Sequence, residues 1–265
     1  MVRLTAAQKQ FYKDNGYIML KGAFTPSEMN KLSERYDVLF NSKNPRVMEN
    51  SWQGSNETNR ITDSPYTVKG IHNLHHHDAT FGNALYNENL LDAVADCLGT
   101  ENIALHHTKA HLKPPEKGAV YPMHQDYHYF PYDKHGCVAA FIHLDDAYPE
   151  NGCLYVYPGS HKLGPQEDVG KLEGNFHYVD NKKFPLEKAV PVRAERGDVV
   201  IFSYLLIHGS PQNTSNNPRR MYLAQFFDPA HKPVGTWPRN PSYGWMLRGV
   251  NANKDASIAN QYAFD

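Results

Sequence analysis

Val199-Val-Ile-Phe-Ser-Tyr-Leu-Leu-Ile-His-Gly-Ser210 is the stretch on which the fold turns. It is rich in β-branched and aromatic residues, carries no charge before its histidine, and closes on His-Gly-Ser. Such a run reads as a buried strand. Its terminal imidazole then falls at the rim of a sheet. Comparable runs surround it after Gly99: Ile103–Leu112, Val138–Leu144, Cys153–Pro158, Ala189–Val192 and Met221–Phe227. Turn clusters separate them, among them Pro114-Pro-Glu-Lys-Gly118, Pro149-Glu-Asn-Gly152, Pro158-Gly-Ser160 and Arg196-Gly-Asp198.

The front of the chain has a different texture. Thr5-Ala-Ala-Gln8 and Thr25-Pro-Ser-Glu28 have capping-box spacing, and Pro26 suits a first helical position. Met29, Leu32, Tyr36, Leu39 and Phe40 follow at helical spacing. Gly16 to Gly22 reads as a short strand, and Asn83 to Leu98 as one helix ended by Gly99. Helices in front and regularly spaced strands behind predict a mainly β chain with flanking helices, a jelly roll. The expected layout is one domain over 1–265. It comprises a largely helical part (1–98), a barrel core (99–228) and a C-terminal extension (229–265).

Bulk properties exclude several classes. A net charge of −1 and a pI near 6.9 give no electrostatic case for nucleic acid or an anionic membrane. No run approaches a membrane helix, and the N-terminus lacks the apolar stretch of a secretory signal. The 3 cysteines are widely spaced, which predicts buried thiols in a reducing, cytoplasmic setting. The expected partner is a small molecule.

The count of 15 histidines is the unusual feature. The richest segment is Tyr121-Pro-Met-His-Gln-Asp-Tyr-His-Tyr-Phe-Pro131. In a strand, residues i and i+2 share a face about 7 Å apart, so His124 and Asp126 could hold one metal. His208 is the candidate third ligand. Two imidazoles and a carboxylate on one side of a metal leave positions open and suit Fe(II). Those positions can take a 2-oxo acid and O2. A distal carboxylate then needs a fixed cation, which Arg219 or Arg220 can supply. Only one of the two should face inward. His-x-Asp alone does not choose, because His76/Asp78 and His143/Asp145 share the spacing.

Lys113-Pro-Pro, His124-Gln-Asp126, Asn151-Gly-Cys-Leu154, Pro158-Gly-Ser-His161, Gly197-Asp198 and His208-Gly-Ser210 with Arg219 occur in this order. In this the chain resembles the phytanoyl-CoA dioxygenase family of Fe(II)- and 2-oxoglutarate-dependent oxygenases, from about Phe11 to Phe227. The resemblance implies a double-stranded β-helix, or cupin-like jelly roll. It implies iron on His124, Asp126 and His208, and Arg219 rather than Arg220 at 2-oxoglutarate. It places Lys109, Phe141 and Ser210 in the 2-oxoglutarate pocket, with departures at Phe141, where an indole is usual, and at Lys109, where an apolar residue is. It implies an oxidation, most simply hydroxylation, of a metabolite with release of succinate and CO2. Halogenating relatives of the fold replace the carboxylate, which Asp126 retains. The rival readings are a cupin-like metal isomerase or hydrolase and a non-catalytic metal-binding barrel.

The remaining histidines carry weaker expectations. His75-His-His77 reads as a solvated or substrate-facing loop with no flanking strand. His107, Lys109 and His111 share a strand face, with His106 pointing the other way. His143 and Asp145 should follow Phe141 on one face. His161 reads as a turn residue. Tyr66, the histidines from 72 to 77 and the segment from Trp237 to Trp245 are candidate lids.

Overall fold

The computed structural model describes residues 3–42, 49–52, 68–116, 118–170, 177–235 and 242–252. Tyr66 and Trp237 lie outside the described residues. Helix α1 (Ala6–Asn15) opens on the Thr5–Gln8 capping box and closes on Gly16 at φ 81°. Strand β1 (Tyr17–Leu20) follows. Helix α2 (Pro26–Asn41) opens on the Thr25–Glu28 capping box, with Pro26 at its start. These caps satisfy donors that the first helical turn leaves orphaned.

Next come strands β2 (Glu49–Trp52) and β3 (Val68–His72), then short helices α3 (Leu74–His77) and α4 (Ala79–Ala84) and helix α5 (Glu88–Leu98). The helix expected from Asn83 to Leu98 is therefore two. Asn87 breaks it, because its side chain accepts from the Leu90 N–H and caps α5. β3 also corrects the reading of the histidine run, which has a strand directly before it.

The barrel strands are β4 (Ile103–Lys113), β5 (Tyr121–His124), β6 (Cys137–His143), β7 (Leu154–Val156), β8 (Val190–Val192), β9 (Val199–Ser203), β10 (His208–Ser210) and β11 (Arg219–Phe227). β12 (Trp245–Arg248), within the expected extension, pairs with β4 and so joins the sheet. The large sheet has the order β1-β9-β6-β11-β4-β3-β2, and the small sheet β5-β10-β7-β8. From β4 to β11 the chain alternates between the two sheets, except that β7 and β8 are successive strands of the small one. That alternation is the winding of a double-stranded β-helix, as expected.

Strict alternation assigns the two faces of the large sheet. Val138, Ala140, Ile142, Val199, Ile201, Tyr222, Ala224 and Phe226 pack outward against Met29, Leu32, Tyr36, Leu90 and Val94 of the helices. Ala139, Phe141, Val200, Phe202, Met221 and Leu223 point inward toward Leu154 and Val156 of the small sheet. The site is built between the two sheets.

One irregularity shifts the pattern. Along β4, His107 pairs with Gln225 but Leu105 with Phe226, so a bulge falls at His106. His106 therefore does not face away from His107 as simple alternation requires. Its Nδ1 lies 2.7 Å from the His107 Nδ1. Its ring packs 4.3 Å from Phe130.

Candidate metal centre

His208 is the first residue of β10, directly opposite His124, the last residue of β5. The two strand ends meet because Gly209 lets them. A Cβ there would lie 2.8 Å from the Tyr121 carbonyl and 2.7 Å from the Met123 sulfur. Any side chain at position 209 would push the imidazoles apart. The two rings lie 4.2 Å apart, centroid to centroid.

Asp126 arrives differently from the expectation. β5 ends at His124, and Asp126 starts a 3-10 turn, Asp126–Tyr129. Turn geometry, rather than strand alternation alone, brings the carboxylate round. Gln125 between them is buried, and its amide grips the Leu205 carbonyl at 2.6 Å and the Gly164 carbonyl at 3.0 Å. The Asp126 Oδ1 lies 3.6 Å from His124 Nε2 and 3.7 Å from His208 Nε2. One donor atom from each of the three falls within 4.8 Å of the others.

The donors are also chemically prepared. His124 Nδ1 lies 2.8 Å from the Pro122 carbonyl, and His208 Nδ1 lies 2.9 Å from the Leu206 carbonyl. A carbonyl only accepts, so each Nδ1 carries a proton, and Nε2 is the ring atom left to face a metal. Burial, then His124, pushes His208 down to about 4, which keeps it neutral at pH 7. Burial would push the Asp126 carboxyl up, but His208 and His124 outweigh it and hold it below its usual range. The Gln225 amide donates to Asp126 Oδ2 at 2.6 Å and fixes its orientation. Two imidazoles with Nε2 turned to one point, and an oriented carboxylate, fit a divalent iron.

A cavity adjoins these groups. Its walls include His111, Tyr121, Phe141, Ser210, Arg219 and Leu223. Arg219 is 2% exposed, and its Nε has no hydrogen-bond partner. No carboxylate among the described residues pairs with it. A buried guanidinium without a counter-charge is costly, and a dicarboxylate ligand supplies one. Arg220, one residue on, faces outward. It pairs with Asp145 at 2.6 Å and Asp37 at 2.7 Å. The open choice between the arginines is thus closed by alternation along β11.

The other expected residues are placed as follows. Phe141 and Ser210 line the cavity with Arg219. Lys109 is not among its lining side chains. His143 follows Phe141 inward and is buried, but Asp145 does not, because β6 ends at His143. Asp78 caps α4 and pairs with Arg35 at 2.6 Å, so His76/Asp78 is no metal pair. His75 is held at both nitrogens, by Thr108 Oγ1 at 2.8 Å and Ser242 Oγ at 2.6 Å. It is a bridge between elements rather than a solvated loop residue. His161 sits in a 3-10 turn, as expected. Gln225 and Gly209 were not anticipated. Gln225 had a signal: it is a polar side chain that continues the inward register of Arg219, Met221 and Leu223.

The jelly roll, with two imidazoles and a carboxylate gathered at one rim, has the architecture of the 2-oxoglutarate-dependent non-haem iron dioxygenases. The chain belongs to the phytanoyl-CoA dioxygenase family, whose sequence model matches residues 12–221. It is 30% identical over 233 residues to a probable phytanoyl-CoA dioxygenase of Caenorhabditis elegans, covering 82% of this chain and 73% of that one. It is 28% identical over 239 residues to a probable alpha-ketoglutarate-dependent hypophosphite dioxygenase of Stutzerimonas stutzeri, covering 88% and 80%. Among solved structures, the non-haem alpha-ketoglutarate-dependent carbocyclase SnoK from nogalamycin biosynthesis superposes with a TM-score of 0.71. At 18% identity over 86% of this chain and 85% of that one, it shares the fold. Among the described residues, no helix is long and apolar enough to cross a membrane.

Proposed function

We propose that this chain acts as a single-domain oxygenase that hydroxylates a small-molecule metabolite at iron held by His124, Asp126 and His208. One observation carries the reading. The three donors and the unpaired, buried Arg219 share one cavity. A cupin-like isomerase or hydrolase needs the donors but has no use for a buried cation beside them.

Iron with 2-oxoglutarate supplies the oxidising power for O2 chemistry, with succinate and CO2 as products. The protein's part is to bind, orient and shield. His124 and His208 would ligate through Nε2, their Nδ1 protons tied to backbone carbonyls. Asp126 supplies the anionic ligand, which Gln225 keeps from rotating. Arg219 would pair with the distal carboxylate of 2-oxoglutarate, with Ser210 as a hydroxyl donor beside it. Phe141, Leu154 and Leu223 would supply the apolar wall of that pocket. Lys109 was expected in this pocket, and its position outside the lining suggests another role.

The test is succinate formation by purified protein with candidate metabolites, with and without Fe(II) and 2-oxoglutarate. Turnover should require both and vanish in His124→Ala. Turnover that persists without 2-oxoglutarate would favour the isomerase or hydrolase reading. A cytoplasmic location is our further reading. The free Cys97, Cys137 and Cys153 support it, the last two buried. Fractionation of tagged protein from its cell of origin tests this.

A further inference from the structure

We propose that His111 is a further binding residue for 2-oxoglutarate, its Nε2–H donating to a carboxylate oxygen of the cosubstrate between Arg219 and the iron donors. This rests on the dioxygenase reading and adds a recognition group to that same cavity.

The register of β4 on β11 sets its place. Lys113 faces Arg219, His111 faces Met221, Lys109 faces Leu223 and His107 faces Gln225. Arg219 marks the cationic end of the cavity, and Gln225 holds the metal's carboxylate. His111 therefore stands one inward step, about 7 Å along the strand, from the level of Arg219. It lies two such steps from the level of Gln225. Of the β4 side chains, His111 is the one that lines the cavity.

Its neighbours fix the ring. It stacks on Tyr121 with centroids 5.6 Å apart and planes 13° apart. It meets Phe141 edge to face at 6.4 Å. Both rings line the same cavity, and Tyr121 stands opposite Ser210 of β10. Held this way, His111 is 9% exposed, and its Nε2 has no hydrogen-bond partner among the described residues. A buried polar atom left so is costly. The Arg219 Nε, in the same wall, is orphaned too.

Burial, then Lys109 and Arg219, hold the imidazole well below its ordinary range, so at pH 7 it is neutral and carries one N–H. A neutral donor adds no cation to that of Arg219 and so suits the same pocket. Phe141, Leu154, Met221 and Leu223 in the wall offer no hydrogen bond to a ligand. A carboxylate accepts at about four lone-pair sites, more than the Arg219 fork and the Ser210 hydroxyl fill. A carboxylate oxygen beside His111 satisfies both itself and the orphaned ring nitrogen.

Anaerobic titration of the Fe(II)-loaded protein with 2-oxoglutarate, read by its visible charge-transfer band, tests this without turnover. His111→Phe keeps an aromatic ring to stack but removes the N–H. Half-saturation should then need about tenfold more 2-oxoglutarate, or beyond, with iron affinity unchanged. His111→Gln carries an N–H donor at a reach close to that of Nε2 and should recover most of the loss. An unchanged half-saturation in His111→Phe would overturn the proposal, since the ring would then serve only the wall or a cavity water. So would equal losses in the two variants, since shape rather than the N–H would then matter. Failure of the underlying reading looks different: wild-type protein would bind iron and show no band with 2-oxoglutarate at all.

Discussion

Arg219 and Arg220 are adjacent, identical in chemistry, and face opposite sides of the same sheet. Outward, Arg220 finds two carboxylates, and burial is offset by paired charge. Inward, Arg219 has no such partner among the described residues, and it lines the cavity with the iron donors. The outer face follows the rules of a stable core: apolar side chains interlock with helices, and Arg220 is paired. The inner face breaks them, with an unpaired guanidinium and buried imidazoles. Gln225 Oε1 and both His143 nitrogens also lack a partner there. Sheets tolerate such faults where a ligand completes them, so the contrast locates function without reference to any relative.

The largest expected effect strikes the inner face at its donors. His208→Ala should lower iron-dependent succinate formation by at least about 100-fold and lower iron affinity with it, both read on purified protein. Next is Arg219→Ala, which should raise the KM for 2-oxoglutarate by about 30-fold or more, the scale of truncating one side of a buried charge pair. Arg220→Ala breaks the symmetry: that KM should hold, while stability drops by about 1–2 kcal/mol in urea unfolding. Equal effects of the two arginines on KM would remove the distinction between the faces. Gln225→Leu keeps the size of the side chain and frees Asp126, so iron affinity should fall about 10-fold, with the fold intact by circular dichroism.

The subtlest prediction concerns pH. Burial, then Arg219, pushes His143 down to about 3 in the folded chain, against an ordinary 6.5. The unfolded chain therefore binds the extra proton between those values, and stability rises with pH across that window. The contribution is complete above about pH 6.5 and is lost as pH falls toward 3. Between pH 7 and pH 5, wild-type metal-free protein should lose about 2 kcal/mol through this group. His143→Leu, which leaves no ring to protonate, should flatten that slope in urea unfolding at the two pH values.

The legible parts of the molecule were those governed by local rules. Both capping boxes, the Pro26 helix start and the runs at β4, β6, β9 and β11 need only near neighbours in sequence. His208 was legible because an uncharged run closes on it, although that run is two strands and not one: β9 ends at Ser203 in the large sheet, and His208 opens β10 in the small one. What was not legible depends on partners far along the chain. The bulge at His106 exists only in the register of β4 against β11. Asp126 turns in through a 3-10 turn that no alternation describes. His75 finds Thr108 and Ser242 from two other segments. Arg219 and Arg220 could not be told apart until β11 was fixed between β4 and β6, since alternation says only that they differ.

The most direct test is titration of Fe(II) and then 2-oxoglutarate into metal-free protein without oxygen, followed by visible absorption, for wild type, Arg219→Ala and Arg220→Ala. The account predicts a charge-transfer band in wild type, an undiminished band in Arg220→Ala, and a band in Arg219→Ala that needs far more 2-oxoglutarate. Wild-type protein that holds iron yet shows no band, or two arginine variants that behave alike, would contradict it.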